Sequence, residues 1–344
     1  MSVLLAPLAT GYGWAAGLRC YAYRSGWLNQ HRLSRPVISV GNLSTGGTGK
    51  TPVVAYLARL LLRRGFTPSI LTRGYGRRGG NSLIALDPAK SRAPDPRMAG
   101  DEPALLAAAL PQVPIVVCAD RYRAGRCAEE RFGATIHLLD DGFQHLRLAR
   151  SLDIVALDIT QDFSDQRVLP AGMLRERCYA LRRAHIIILT RTDLADPARR
   201  LAQLAQIQTK ARVFHGGTRL AGFTEVATGR LLPPSGLAGR RIYAFCGVGN
   251  PHAFFLDLRR WKLDPVGQQI FSDHHVYTGN EIASLLLSAR DAHASALVTT
   301  EKDMMNLPAA SKPILNTFAC TVEAEITEAG AFEQVVLDKL QEEF

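Results

Sequence analysis

What this 344-residue sequence lacks narrows it first. Its six cysteines (Cys20, Cys118, Cys127, Cys178, Cys246 and Cys320) include no Cys-x-x-Cys pair. That pattern predicts buried, reduced thiols in a cytosolic protein rather than a disulfide framework. No internal repeat and no low-complexity tail is present, and with 47% hydrophobic and 21% charged residues the chain is neither disordered nor fibrous. Its length accommodates two domains. Long apolar runs are also missing. The uncharged stretch from Val3 to Leu18 is shorter than the roughly 20 residues of a spanning helix, and Pro7, Gly11, Gly13 and Gly17 weaken it further. A secretory signal carries positive charge before its apolar core, whereas here Arg19, Arg24, His31, Arg32 and Arg35 come after it. Two readings remain: an interfacial helix with arginines on anionic headgroups, or a helix packed on its own domain.

Acidic residues are the last deficit, 31 against 41 basic ones, leaving a formal charge of +10. Such an excess suits partners that carry phosphate: nucleotide, nucleic acid, anionic lipid or phosphorylated substrate. The basic residues are not interleaved with an aromatic stacking platform, which argues against nucleic acid. Asp273-His274-His275 has no further Cys/His cluster to complete a zinc set.

What is there is a rhythm of short β-branched runs alternating with helical stretches. Candidate strands are 36–40, 69–72, 115–118, 135–139, 153–157 and 185–190, with helices such as 53–64 and 121–132 between them. This order predicts an α/β protein with a parallel sheet covered by helices on both faces. Around 216–240 the rhythm lapses into a Gly/Pro-containing connector, and it resumes at 241–246, 266–271 and 296–300. The expected organisation is an N-terminal segment 1–35, a P-loop domain 36–215, a connector 216–240 and a smaller α/β domain 241–344. The C-terminal helix is free to pack back on the first domain.

Between the strand Val37–Gly41 and a helix with Pro52 near its first turn lies Ser44-Thr45-Gly46-Gly47-Thr48-Gly49-Lys50-Thr51. A loop of this composition points successive backbone N–H groups at a phosphate, and the helix N-terminus adds partial positive charge. Lys50 then reaches the β- and γ-phosphates, and the Thr51 hydroxyl meets magnesium. Ser44 occupies the position usually held by the first glycine of such loops. Asp140-Asp141 ends the strand 135–139, where ligands of open α/β sheets gather, and supplies carboxylates for a metal.

Asp101 and Glu102 open a helical run. Adjacent acids there are often only caps, but phosphoryl transfer also needs a base or orienting carboxylate. Arg73, Arg77 and Arg78 sit in a basic loop after another strand, where they can clamp phosphates or face solvent. Arg121 and Arg175 lie in polar turns of the same kind. Thr190-Arg191-Thr192-Asp193 resembles a guanine-reading NKxD turn with Arg in place of Lys.

Taken in order, STGGTGKTP (44–52), RGYGRR (73–78), GDEP (100–103), DDGFQH (140–145), GMLRE (172–176), SDHH (272–275) and TTEKD (299–303) resemble the tetraacyldisaccharide 4'-kinase family over nearly the whole chain. Met173 departs from that pattern, where Pro is expected. The resemblance implies ATP and Mg2+ as cofactors and transfer of the γ-phosphate to the 4'-hydroxyl of a lipid A disaccharide monophosphate. It also implies a peripheral or monotopic place on the cytoplasmic face of a bacterial inner membrane; no obligate protein partner is evident. By motif, Asp101 resembles the catalytic base and His274 its partner. Glu102, Asp140 and Asp141 match residues around the metal and phosphates, and Arg73, Arg121, Gln144 and His145 match active-site support. Asp101 and His274 fall in different expected domains, so their meeting would require closure.

Overall fold

The computed structural model describes residues 5–75, 77, 82–90, 95–161, 167–308 and 316–342. Among these residues thirteen strands form one sheet: β1 (Val37–Gly41), β2 (Pro68–Thr72), β3 (Ile84–Leu86), β4 (Ile115–Val117), β5 (Ile136–Asp140), β6 (Leu152–Asp158), β7 (Ile186–Thr190), β8 (Arg212–Glu225), β9 (Leu231–Leu232), β10 (Ile242–Cys246), β11 (Gly267–Ile270), β12 (Ala296–Thr300) and β13 (Thr317–Ile326). Their order is β11-β10-β12-β13-β8-β7-β6-β1-β5-β2-β4-β3, with β9 beside β8. The ladders from β8 to β4 and from β11 to β13 are parallel, and the antiparallel pair β8–β13 joins the two stretches. Every residue of β1, β2, β5, β6, β7 and β10 is buried. That follows from continuous apolar runs covered on both faces.

Among the described residues ten α-helices flank the sheet: α1 (Ala6–Arg24), α2 (Lys50–Arg63), α3 (Pro96–Ala99), α4 (Asp101–Ala109), α5 (Arg121–Phe132), α6 (Ala198–Ile207), α7 (Pro251–Arg260), α8 (Gly279–Asp291), α9 (Glu301–Met305) and α10 (Ala329–Gln341). Helix α2 buries Val53, Leu57, Leu60 and Leu61 at helical spacing against the sheet. Asp120 caps α5 by accepting from the Tyr122 and Arg123 amides at 3.0 and 3.2 Å, and Gly133 ends it in the left-handed region. Helix α10 lies against the first half of the sheet. Phe332, Val336 and Leu340 share a core with Ile154 and Ile188, and Glu333 accepts from Tyr56, Arg63 and Arg64 at 3.3 Å.

The sequence reading of 216–240 as an irregular connector is corrected. Residues 216–225 continue β8 along β13, and only the stretch after Glu225 turns, through β9 and a 3-10 turn at Pro234–Leu237. Gly216, Gly217 and Gly222 suggested a loop, but glycine here gives close passage. A Cβ at Gly217 would lie 2.7 Å from Asp193 Oδ2, and one at Gly222 would lie 2.2 Å from the Leu232 carbonyl.

Candidate active site

Strands β1, β2, β5, β6 and β7 end at one rim of the sheet, and the residues that leave them form the site. Gly41 lets β1 pass under the Asp140–His145 turn: an added Cβ would sit 2.5 Å from Phe143 Cβ. The loop 42–49 then turns through Gly46 and Gly49, both with positive φ, into α2. Its backbone is laced to neighbours. The Thr45 amide donates to the Met173 carbonyl at 2.8 Å, the Arg175 amide to the Leu43 carbonyl at 2.8 Å, and Thr190 Oγ1 to the Thr48 carbonyl at 3.0 Å. Asn42 Nδ2 donates to Thr48 Oγ1 at 3.1 Å, and Ser44, buried in the usual glycine position, bonds Gln161 through its hydroxyl.

Lys50 is buried and its ammonium lies 2.8 Å from Asp141 Oδ1, while Arg175 holds Asp141 Oδ2 at 2.6 Å. Burial alone would raise the Asp141 carboxyl, but these two cations outweigh it and hold it at about 2. Asp140 is the opposite case. It is buried, its Oδ1 has no hydrogen-bond partner, and Oδ2 accepts only a long 3.4 Å bond from Thr72. Burial, then repulsion from Glu102 and Asp141, pushes it up to about 7. Arg121 is buried nearby and donates to the Cys118 and Ala119 carbonyls; burial, then the Arg73 charge, lowers it to about 10. Gln144 Nε2 braces the Asn42 carbonyl at 2.9 Å, and burial with the Arg121 charge holds His145 at about 4, neutral at physiological pH.

Asp101 and Glu102 form the first turn of α4 on the near wall. From the far half of the sheet, His274 Nδ1 comes within 3.2 Å of Asp101 Oδ2, so the two residues meet. Asn306 Nδ2 donates to the same oxygen at 3.0 Å. Lys302 Nζ lies 3.2 Å from His274 Nε2 and 2.9 Å from Asp273 Oδ1. Burial favours the neutral Asp101 carboxyl, but the His274 and Asn306 hydrogen bonds and the nearby cations prevail and lower it. The bond to Asp101 raises His274 against its partial burial. Asp303 fixes the surroundings by accepting from the Gly247 amide and the Tyr277 hydroxyl, each at 2.8 Å, and from Thr300 Oγ1 at 2.6 Å.

Arg73 is exposed at the rim and Arg77 half-buried, while Arg78 lies outside the described residues. Thr51 is half-buried on the first turn of α2. The TRTD turn is not laid out as a base reader. Arg191 donates to the Gly47 carbonyl at 3.1 Å and pairs with Asp158, and Asp193 binds Arg260 and the Thr218 amide. Sequence reasoning missed Asp158, Asn250, Lys302 and Asn306 as site residues. Lys302 lies inside a motif that drew attention, but nothing local marks the other three.

A family model described as tetraacyldisaccharide-1-P 4'-kinase matches residues 1–341. A tetraacyldisaccharide 4'-kinase of Geobacter metallireducens is 38% identical over 334 residues, covering 97% of this chain and 96% of that protein. One from Koribacter versatilis is 39% identical over 332 residues, covering 94% and 95%. Among solved structures, LpxK from Aquifex aeolicus in complex with ATP superposes with a TM-score of 0.79 at 30% identity, covering 98% of this chain and 99% of that one.

Proposed function

Because the chain belongs to the tetraacyldisaccharide-1-P 4'-kinase family and is an ATP-dependent lipid kinase that phosphorylates the 4'-hydroxyl of tetraacyldisaccharide 1-phosphate to lipid IVA, we propose that Asp101 is the base for that hydroxyl. The observation that carries this reading is the Asp101–His274 contact at 3.2 Å, made across the cleft above the P-loop. His274 and Asn306 both donate to Oδ2, so Oδ1 is the oxygen that receives the acceptor proton. With Lys302 donating to Nε2, Nδ1 is the ring nitrogen that carries the proton toward Asp101, and this arrangement points Asp101. As the 4'-oxygen bonds to the γ-phosphorus, its proton passes to Asp101 and the bond to the ADP oxygen breaks. The loop 44–51 cradles the phosphates through its amides, and Lys50, now paired with Asp141, is placed to turn to the transferring group. Arg73, Arg77, Arg121 and Arg175 supply further positive charge at the rim.

Among the described residues no cluster of three or more His, Cys, Asp or Glu side chains forms a metal cage. Magnesium does not need one, since it takes one or two carboxylates together with nucleotide phosphates and water. The unpartnered Asp140 Oδ1 fits that demand, with Glu102 near enough to raise its carboxyl and Thr51 on the first turn of α2 offering a hydroxyl; Asp141 is committed to Lys50 and Arg175. When bound, the ion would neutralise charge on the β- and γ-phosphates.

No described helix is long and apolar enough to cross a membrane. Helix α1 turns Ala9 and Gly13 to the body and leaves Leu8, Tyr12, Trp14, Leu18 and Tyr21 exposed, with Trp14 at 72% and the following Trp27 at 73%. An exposed aromatic face flanked by Arg19 and Arg24 supports a monotopic position on the cytoplasmic face of the inner membrane, where the lipid substrate lies.

The test is incubation with labelled ATP, magnesium and lipid A disaccharide monophosphate, with mapping of the product. Asp101→Asn should lose 10²- to 10⁴-fold in kcat, about the range of general-base catalysis, while still binding ATP. Near-normal turnover in that variant would remove Asp101 from the mechanism.

A further inference from the structure

The Asp158 carboxylate ends β6 at 0% exposure and lies outside the motifs that define the site. A buried carboxylate is tolerated only when its oxygens are well satisfied, and here donors arrive from three segments. Oδ1 accepts from the Thr160 amide at 2.9 Å and the Thr160 hydroxyl at 2.6 Å. Oδ2 accepts from Arg191, which follows the neighbouring strand β7, and from Asn250 Nδ2 at 2.9 Å. Arg191 also donates to the P-loop carbonyl of Gly47 at 3.1 Å. Asn250 comes from the far half of the sheet, where its Oδ1 caps α7 by accepting from the Ala253 amide at 3.2 Å. One carboxylate thus ties the phosphate loop to the far half.

The contact beside it is backbone on backbone. A Cβ at Gly249 would lie 2.6 Å from the Gly47 nitrogen and 2.8 Å from Gly46 Cα, so the far half rests on the P-loop at a glycine. The same short loop leads to the base. The Gly247 carbonyl accepts from the His274 amide at 3.2 Å, and the Gly247 amide is held by Asp303. A displacement at Asn250 is therefore carried through Gly247 to His274.

We propose that Asp158, Arg191 and Asn250 form a latch that sets the far half in register on the P-loop, making Asn250 a positioning residue for the Asp101–His274 pair. This rests on the assignment of Asp101 as base. The latch acts on alignment for transfer, not on the affinity of the P-loop for phosphate, and that separates it from a purely structural contact.

The variant Asn250→Ser tests it, because serine caps a helix about as well as asparagine but is too short to grip Asp158 from the cap position. We expect kcat to fall at least tenfold, ATP binding by equilibrium dialysis to change less than about threefold, and the thermal midpoint to stay near that of the parent. Gly249→Ala, which pushes the same contact apart, should give the same division between kcat and ATP binding. Wild-type kcat in both variants, or a loss of kcat matched by an equal loss of ATP affinity or of folded protein, overturns the latch. Asp101→Asn is assayed alongside. Full activity there sinks the base assignment, whereas a fully active Asn250→Ser beside an inactive Asp101→Asn sinks only the latch.

Discussion

Asp140→Asn should stabilise the nucleotide-free protein while abolishing its activity. In the folded chain the Asp140 carboxyl is raised from the ordinary 3.8 to about 7, first by burial and then by Glu102 and Asp141, with one oxygen lacking any partner. Because the folded form holds this proton more tightly than the unfolded form, stability falls as pH rises from the unfolded value through about 7 and is then constant. About three pH units at roughly 1.4 kcal/mol each set a ceiling near 4 kcal/mol, so a cost on the order of 2 to 4 kcal/mol at pH 8 is expected. Asp257 and Glu301 are also raised to about 7, mainly by burial, and titrate in the same window. The slope of the parent alone is therefore not diagnostic; the difference between parent and variant is. Urea unfolding followed by circular dichroism in EDTA at pH 5 and pH 8 measures it. The variant should match the parent at low pH, exceed it at pH 8, and lose at least 10²-fold in kcat with magnesium and ATP. A variant no more stable than the parent at pH 8 would show that the Asp140 charge is already satisfied, and the case for it as a metal ligand would fall with it.

Lys302→Gln removes a cation 3.2 Å from His274 whose charge helps hold the Asp101 carboxyl down. Its loss lets the Asp101 carboxyl rise, so the acid limb of kcat/KM should move to higher pH; an unmoved limb would exclude Lys302 from tuning the pair. Replacing Trp14 and Trp27 together with serine should weaken sedimentation with anionic phospholipid vesicles by at least about tenfold while leaving turnover of detergent-dispersed substrate intact. Equal vesicle binding would mean that α1 is not the membrane contact. Gly41→Ala forces a methyl to within 2.5 Å of Phe143 Cβ and should cost about 1 to 3 kcal/mol in urea unfolding, a loss that would be absent if the Asp140–His145 turn can slide.

The strands and the P-loop were legible because each is written locally. Ile186 to Leu189 is a continuous apolar run, and 44–52 carries its glycines, lysine and threonines in one stretch. The second half of β8 was not legible, because its glycines give passage to Asp193 and Leu232, which only the folded chain brings alongside. The latch was hidden for the same reason. Nothing near Asn250 states that it will meet Asp158, 92 residues away, and Asn306 meets Asp101 across 205 residues. For Asp101 and His274 family resemblance supplied the roles, and only the fold supplied the 3.2 Å between them.

One further property of the site runs against local sequence rules. Six described non-glycine residues have positive φ: Asp141, Arg191, Gln208, Lys262, His274 and His293. Gln208, Lys262 and His293 follow the ends of α6, α7 and α8, where a left-handed residue is the ordinary way to stop a helix. Asp141, Arg191 and His274 instead follow strands β5, β7 and β11, and each side chain reaches into the site. Glycine would relieve the backbone at these positions, a saving of about 1 kcal/mol each, but it would remove the groups that pair with Lys50, Asp158 and Asp101. The ion pairs and hydrogen bonds these side chains make hold the strained backbone in place. The site is therefore maintained by contacts between its own members, so loss of one partner should loosen the backbone of the next as well as its side chain.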